Sequence, residues 1–118
     1  MDIGKDLVAA SATPLVLAIL SEGESYGYAI IKRMADLSGG ELQWTDGMLY
    51  PILHRLERKG AIASSWGTSK TGRQRKYYHL TEAGWQELAQ HKRQWSVVDT
   101  VLRGVWHDEI SPALAGSD

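Results

Sequence analysis

The lysine and arginine side chains of this 118-residue sequence are concentrated in one segment. Residues 45–80 contain seven basic and two acidic side chains, although the formal net charge of the whole chain is −1. Ammonium and guanidinium groups bind the phosphates of nucleic acids, and a local cluster of them does so whatever the total charge. The segment therefore predicts a surface that binds double-stranded DNA.

Four of these bases lie within a polar stretch that is interrupted by glycines: Lys70, Arg73, Arg75 and Lys76. Taken alone, such a stretch is more typical of a solvated, charged loop than of a binding site. Its position after three predicted helices favours DNA binding. In that case the four side chains contact phosphates and contribute affinity rather than sequence specificity.

Other kinds of chemistry find little support in the residue types. The chain has no cysteine, which excludes disulfides and thiolate chemistry and fits a cytoplasmic protein. Its four histidines lack the close spacing of metal ligands, and no serine, histidine and acid form a convincing catalytic set. We therefore expect a protein that is not an enzyme and that has no metal and no cofactor.

The residues of the basic segment need a scaffold, and the first part of it is a mostly apolar run, residues 7–20. This run lacks the charge pattern of a signal peptide and is shorter than the roughly 20 residues that span a bilayer. It predicts a core helix from Thr13 to Ser21, with Thr13 as N-cap and Pro14 as the first helical residue. The residues before Thr13 are predicted to form a separate helical arm, and no membrane association is expected.

Two more helices follow, each with an apolar stripe at helical spacing. The second is predicted to start after Ser25 and to stop at the glycine pair 39–40. The third is predicted over residues 46–59, with Thr45 as N-cap. Pro51 lies inside it, and because proline removes a backbone hydrogen bond, a kink is expected there.

A β-hairpin is predicted next, from strands over residues 61–65 and 75–80 joined by a loop over residues 66–74. Side chains alternate between the two faces of a strand. Tyr78 and Leu80 are therefore expected to face the core, and Tyr77 and His79 to face outward.

A long last helix is predicted from Glu82 to Val105 or slightly beyond, with Thr81 as its cap. Its apolar residues repeat every seven positions, which favours a dimer interface, although a helix packed on its own domain would show a similar stripe. The predicted organisation is a DNA-binding domain with its arm (1–80), a dimerisation helix (81–110) and a flexible tail (111–118). The predicted dimer-interface residues are Leu88, Trp95, Val98, Leu102 and Val105.

The order of elements predicts a mainly α fold with a small β-hairpin, which is a winged helix-turn-helix followed by a long C-terminal dimerisation helix. The hairpin is the wing. In such folds one helix enters the major groove, which is wide enough to admit it. The third helix is the candidate, and the side chains available for contact with bases are Thr45, Met48, Tyr50, His54 and Arg55.

Three segments, 26–30 (YGYAI), 47–57 (GMLYPILHRLE) and 72–84 (GRQRKYYHLTEAG), resemble the PadR family of transcriptional regulators. The resemblance covers about residues 12–105. It implies a homodimer that binds an inverted repeat near its own promoter and represses a neighbouring gene. It also implies that Tyr26, Tyr28, Thr45, Tyr50 and the wing bases contact DNA. Met48 departs from the threonine that family members often have there, which leaves base recognition at that position open.

Residues 94–99 (QWSVVD) resemble the branch of the family that senses flat hydrophobic drugs. This resemblance implies that planar aromatic small molecules bind at the dimer interface, beside Trp95 and Asp99. Leu7 and Pro14 would line the same cavity if the N-terminal arm crosses the dimer. The alternative is that Trp95 is a plain interface residue and Asp99 a surface charge. For the whole chain, the alternative function is a winged-helix module that binds another protein without specific DNA binding.

Overall fold

The computed structural model of the chain describes residues 3–110, with the side chains of residues 3–106. Three helices, a two-stranded antiparallel hairpin and a long fourth helix follow one another, as the predicted fold class requires. The predicted flexible tail, 111–118, lies outside the described residues. The elements are α1 (Lys5–Leu20), α2 (Gly27–Leu37), α3 (Asp46–Arg58), β1 (Ile62–Thr68), β2 (Gln74–Leu80) and α4 (Glu82–Ile110).

The chain divides into two compact units, one up to Leu88 and one from Ala89 onward. The first unit has one apolar core, to which all of its elements contribute at helical or alternating spacing. Truncating one of these buried leucines to alanine typically costs about 2–5 kcal/mol of stability. The fully buried large side chains are Val16, Leu17 and Leu20 of α1, Ile30 and Met34 of α2, Leu49, Leu53 and Leu56 of α3, and Ile62 and Tyr78 of the hairpin.

Helix α1 is a single helix, so the predicted helix start at Thr13 and the separate arm before it are wrong. Pro14 lies inside the helix and removes only the backbone hydrogen bond to the carbonyl of Ala10. The alanine-rich turn before it is a strong helix former, and Ala12 is buried in the core, so burial outweighs one lost bond. The Thr13 hydroxyl does not cap a helix but accepts a hydrogen bond from Arg55 at 2.7 Å.

Helix α3 also continues through a proline, Pro51, without interruption. Thr45 is the N-cap residue as predicted, although its side chain makes no capping hydrogen bond and its backbone carbonyl accepts from Leu49 instead, at 3.1 Å. The partner that Pro51 cannot reach is the carbonyl of Gly47, an exposed residue. The proline therefore leaves an acceptor where water reaches the chain, which lowers its cost.

The hairpin is longer than predicted. Seven residue pairs join its strands, from Ile62 opposite Leu80 to Thr68 opposite Gln74. The connecting loop is therefore only residues 69–73, closed by hydrogen bonds from Ser69 N–H to the Arg73 carbonyl (2.8 Å) and from Gly72 N–H to the Ser69 carbonyl (2.9 Å). Trp66 and Gly67, predicted to be loop residues, belong to β1.

The predicted orientation of strand β2 is largely confirmed. Tyr78 and Leu80 are buried, and His79 is exposed. Tyr77 is half-buried rather than fully outward, because its ring packs edge-on against Tyr26 with 5.6 Å between ring centroids.

The junction between the hairpin and α4 is held by a cap. The Thr81 hydroxyl accepts a hydrogen bond from the Gly84 N–H at 3.1 Å and donates one to the Gly60 carbonyl at 2.5 Å, which confirms the predicted cap. A side chain on Gly84 would collide with the backbone carbonyl of Ala61. Glycine at position 84 thus permits the first turn of α4 to lie directly on the hairpin.

Leu88, predicted to lie in a dimer interface, is 2% exposed within its own chain. It belongs to the core of the first unit and has no surface left for a partner, so this prediction is wrong. A heptad repeat identifies an apolar stripe but not what the stripe packs against.

The second unit contains the continuation of α4 to Ile110, which agrees with the predicted helix from Glu82 to Val105 or slightly beyond. Trp95 is half-buried. Asp99 accepts hydrogen bonds from Arg103, one turn later, at 2.9 and 3.0 Å. Within residues 3–110, none of the helices combines the length and the apolar composition that a membrane span requires. Among the side chains that the structure describes in this unit, the exposed large apolar ones are Val97, Val98, Val101, Leu102, Val105 and Trp106.

Candidate nucleic-acid interface

The start of α2, the exposed side of α3 and the hairpin meet at a groove of about 550 Å³. This groove unites residues that the sequence separates by up to 50 positions, and six of them had been predicted to contact DNA. Its lining consists of Tyr26, Gly27, Tyr28, Tyr50, Trp66, Arg73, Gln74, Arg75 and Lys76.

Tyr26 is positioned by a short backbone bridge between Ser25 and Tyr78. The Ser25 N–H donates to the Tyr78 carbonyl at 3.0 Å, and the Tyr78 N–H donates to the Ser25 carbonyl at 2.7 Å. The bridge places the Tyr26 ring beside Tyr77 and under the Arg75 guanidinium, which lies 4.2 Å from the ring centroid. A cation held over an aromatic face loses mobility and keeps its charge. Arg75 is therefore presented to the groove in a fixed position.

Tyr50 of α3 lies across the first residue of α2. A methyl group placed on Gly27 would come within 2.6 Å of the Tyr50 hydroxyl oxygen and 3.1 Å of its ring carbon Cζ. Absence of a side chain at Gly27 thus lets Tyr50 occupy this position, where it stays 37% exposed. The ring of His54, one turn later, lies 6.1 Å from the Tyr50 ring.

The wing is tied to the last turn of α3 through one carboxylate, Glu57. Ser64 of β1 donates a hydrogen bond to Glu57 Oε2 at 2.5 Å, and the Lys76 ammonium of β2 lies 3.7 Å from Oε1. Both strands are thereby attached to the helix.

Tyr78 of β2 lies buried in the core beneath the hairpin. Burial raises the pKa of its hydroxyl, and the charges of Glu57 and Tyr50 add to this effect. This shift keeps the Tyr78 hydroxyl protonated into more alkaline solution than an ordinary tyrosine hydroxyl.

The remaining residues predicted to contact DNA do not line this groove. Thr45, Met48 and His54 are exposed along α3, and Lys70 is exposed in the wing loop. Arg55 is exposed but donates its hydrogen bond to Thr13, so it is directed toward α1. Contact of any of these side chains with DNA stays a prediction.

The four residues predicted to bind a ligand fall on different units. Leu7 is exposed and Pro14 is half-buried on α1, whereas Trp95 and Asp99 belong to the second unit. The carboxylate of Asp99 is already engaged by Arg103. A shared ligand site for these residues stays a prediction.

Sequence reasoning missed three residues of the groove. Trp66 and Gln74 were placed in the predicted loop over residues 66–74, and Gly27 was not singled out. The alternation of the strand, continued from Ile62 through Ser64, was the signal that places Trp66 on the same face as Lys76, its partner across the hairpin.

The residues that form the groove lie within a segment that matches a known protein family. The family model described as "Transcriptional regulator PadR-like family" matches residues 16–90, which include the groove and most of the core. The chain belongs to this family of transcriptional regulators. It is therefore a regulator by family rather than an enzyme, and the predicted relationship to the PadR family is confirmed.

Individual relatives agree with the family. The transcriptional regulator YqjI of Escherichia coli is 29% identical over 89 residues, which cover 75% of this chain but only 41% of that protein. The chain thus spans about two fifths of the length of this curated relative. A PadR-like transcriptional regulator from Bacillus cereus has a TM-score of 0.77 at 28% identity, and a transcriptional regulator from Clostridium thermocellum has 0.76 at 29%. Each alignment covers 86% of this chain and 96% of the other.

Proposed function

We propose that this member of the PadR family is a sequence-specific DNA-binding repressor that acts on an operator near its own promoter. The observation that carries the proposal is the groove shared by α2, α3 and the wing, with Arg73, Arg75 and Lys76 among its lining residues. DNA-binding helices of this class lie in the major groove while neighbouring elements contact the backbone. The groove lies beside the exposed side of α3, so α3 could enter the major groove while α2 and the wing contact the DNA backbone.

The division of roles follows from exposure. Thr45, Met48 and His54 lie exposed along α3, and short polar or flexible side chains there suit contacts with base edges. The wing supplies charge, which favours every DNA sequence equally. The helix thus accounts for specificity and the wing for affinity.

Homodimerisation is the second part of the proposal. The second unit leaves Val98, Leu102 and Val105 exposed on a helix, together with other apolar side chains. A contiguous apolar surface of this kind is typical of a protein–protein interface. We propose a second copy of the same helix as the partner, since a dimer presents two α3 helices to the two halves of an inverted repeat.

The third part concerns an effector. Trp95, half-buried beside this apolar surface, offers a flat face for planar aromatic molecules. A ligand that binds one dimer geometry better than another would shift the spacing of the two α3 helices and so weaken operator binding. A cationic ligand must compete with Arg103 for Asp99, which favours neutral hydrophobic compounds.

The test is binding of the purified chain to its own upstream DNA and to a scrambled duplex of equal length, measured by fluorescence anisotropy across a salt series. We expect tighter binding to the upstream DNA and a steep loss of affinity with salt. Equal, weak binding to both duplexes would reject autoregulation through that DNA. Absence of any salt-dependent binding would instead favour a winged-helix module whose partner is a protein.

A further inference from the structure

Trp66 has an unusual position for a large apolar side chain. It is 70% exposed, more than any other tryptophan or tyrosine among the described residues. It does not lie in a mobile loop but in strand β1, paired with Lys76 of β2. Strand pairing fixes the backbone of Trp66 but leaves its indole in water, and a partner that covers this apolar surface would gain affinity.

The residue that follows Trp66 shows which face of the hairpin Trp66 occupies. The next residue is Gly67, and a methyl group at that position would come within 2.8 Å of the Tyr77 ring. Tyr77 therefore closes over one face of the hairpin, where it packs on Tyr26. Because neighbouring side chains of a strand point to opposite faces, Trp66 projects from the other face, beside Lys76.

The groove that Trp66 lines also determines what can cover it. Its lining combines four aromatic side chains, those of Trp66, Tyr26, Tyr28 and Tyr50, with three cationic ones. Cations repel a second copy of the same basic surface but attract a polyanion. A sugar–phosphate strand combines both requirements, since its phosphates pair with the cations while its deoxyriboses offer apolar faces.

We propose that Trp66 packs against a deoxyribose of the bound duplex and is a non-ionic DNA contact of the wing. The inference rests on the proposed DNA binding but assigns a role that the charged residues cannot fill. Phosphate contacts release counterions and make affinity depend on salt, whereas an apolar contact releases none. Trp66 therefore contributes affinity that salt does not screen.

The test compares the wild type with Trp66→Ala and Trp66→Phe in binding to the upstream and scrambled duplexes across the same salt series. Because bound DNA would bury the indole, we expect Trp66→Ala to weaken affinity for both duplexes about tenfold. The slope of log affinity against log salt is expected to stay unchanged. Trp66→Phe retains an apolar ring and is expected to lose less.

Trp85→Ala is the matched control, because Trp85 is 50% exposed on α4 and does not line the groove. Thermal unfolding of each variant verifies the fold. Affinity unchanged by Trp66→Ala, with the wild type still binding DNA, would overturn the inference and leave the proposed function standing. A loss accompanied by a flatter salt slope would also overturn it, since Trp66 would then act by positioning the wing cations. A wild type that binds neither duplex would refute both proposals.

Discussion

Replacing Gly27 by alanine tests whether the position of Tyr50 matters for DNA binding. The added methyl group would lie 2.6 Å from the Tyr50 hydroxyl oxygen, closer than real side chains approach such atoms. To restore an ordinary contact, the hydroxyl must move by about 0.8 Å or more. The backbone of Gly27 is not in the left-handed region, so alanine fits its conformation.

Gly27→Ala is expected to weaken DNA binding without lowering the stability of the fold. Alanine restricts the unfolded chain and favours the helix, so the free energy of unfolding should stay constant or rise by up to about 1 kcal/mol. Displacement of the Tyr50 hydroxyl from the groove removes one hydrogen-bonding group from the protein surface that we propose binds DNA. Loss of one such bond costs about 1 kcal/mol, which corresponds to about a fivefold weaker affinity for the operator.

A double-mutant cycle with Tyr50→Phe isolates the contact. Phenylalanine has no hydroxyl, and the nearest remaining atom, Cζ, lies 3.1 Å from the added methyl group. Gly27→Ala should therefore reduce operator affinity less in the Tyr50→Phe background than in the wild type, as measured by anisotropy. Equal losses in both backgrounds, or a loss of stability that matches the loss of affinity, would refute the reasoning.

Three further predictions address the wing, the second unit and the core. Arg73→Ala combined with Lys76→Ala should weaken binding to all duplexes similarly and flatten the salt dependence, with Arg73 the larger contributor because Glu57 lies 3.7 Å from Lys76; a loss confined to the operator would contradict this. Planar aromatic compounds should quench the emission of Trp95, and Trp95→Ala should abolish their binding; affinity that survives the substitution would exclude this site. Burial raises the pKa of Tyr78, so the neutral form is favoured in the folded state and stability is lost as pH rises above the unfolded value of about 10. Urea unfolding between about pH 9 and 11 should show a smaller loss for Tyr78→Phe, and equal losses would assign the alkaline instability to other groups.

The helices, the strands and most of the core residues could be predicted from the spacing of apolar residues, because that spacing indicates which face of an element is buried. Boundaries were less predictable. Thr13–Pro14 carries a strong local signal for a helix start, yet burial of Ala12 extends the helix through it. Trp66 and Gly67 were assigned to a loop because glycine interrupts a strand pattern, whereas the structure needs glycine there to accommodate Tyr77.

The groove itself was not predictable from sequence, because it depends on contacts between distant residues. Basic residues marked the wing, but their spacing did not reveal that Arg75 lies over Tyr26 or that Lys76 faces Glu57. Similarly, the heptad pattern of the last helix did not distinguish Leu88, which packs in its own chain, from Val98, which remains exposed. Periodicity identifies an apolar face but not its partner.

One acidic residue of the basic segment, Glu57, illustrates the same limit of sequence reasoning. Counted by charge alone, Glu57 opposes phosphate binding. Its position in the last turn of α3 instead lets it accept a hydrogen bond from Ser64 and attract Lys76, which joins both strands of the wing to the helix. A wing held in this way needs less ordering on binding, and less ordering means a smaller entropic cost. The structural role of Glu57 is therefore to hold the wing against α3, although its charge repels phosphate.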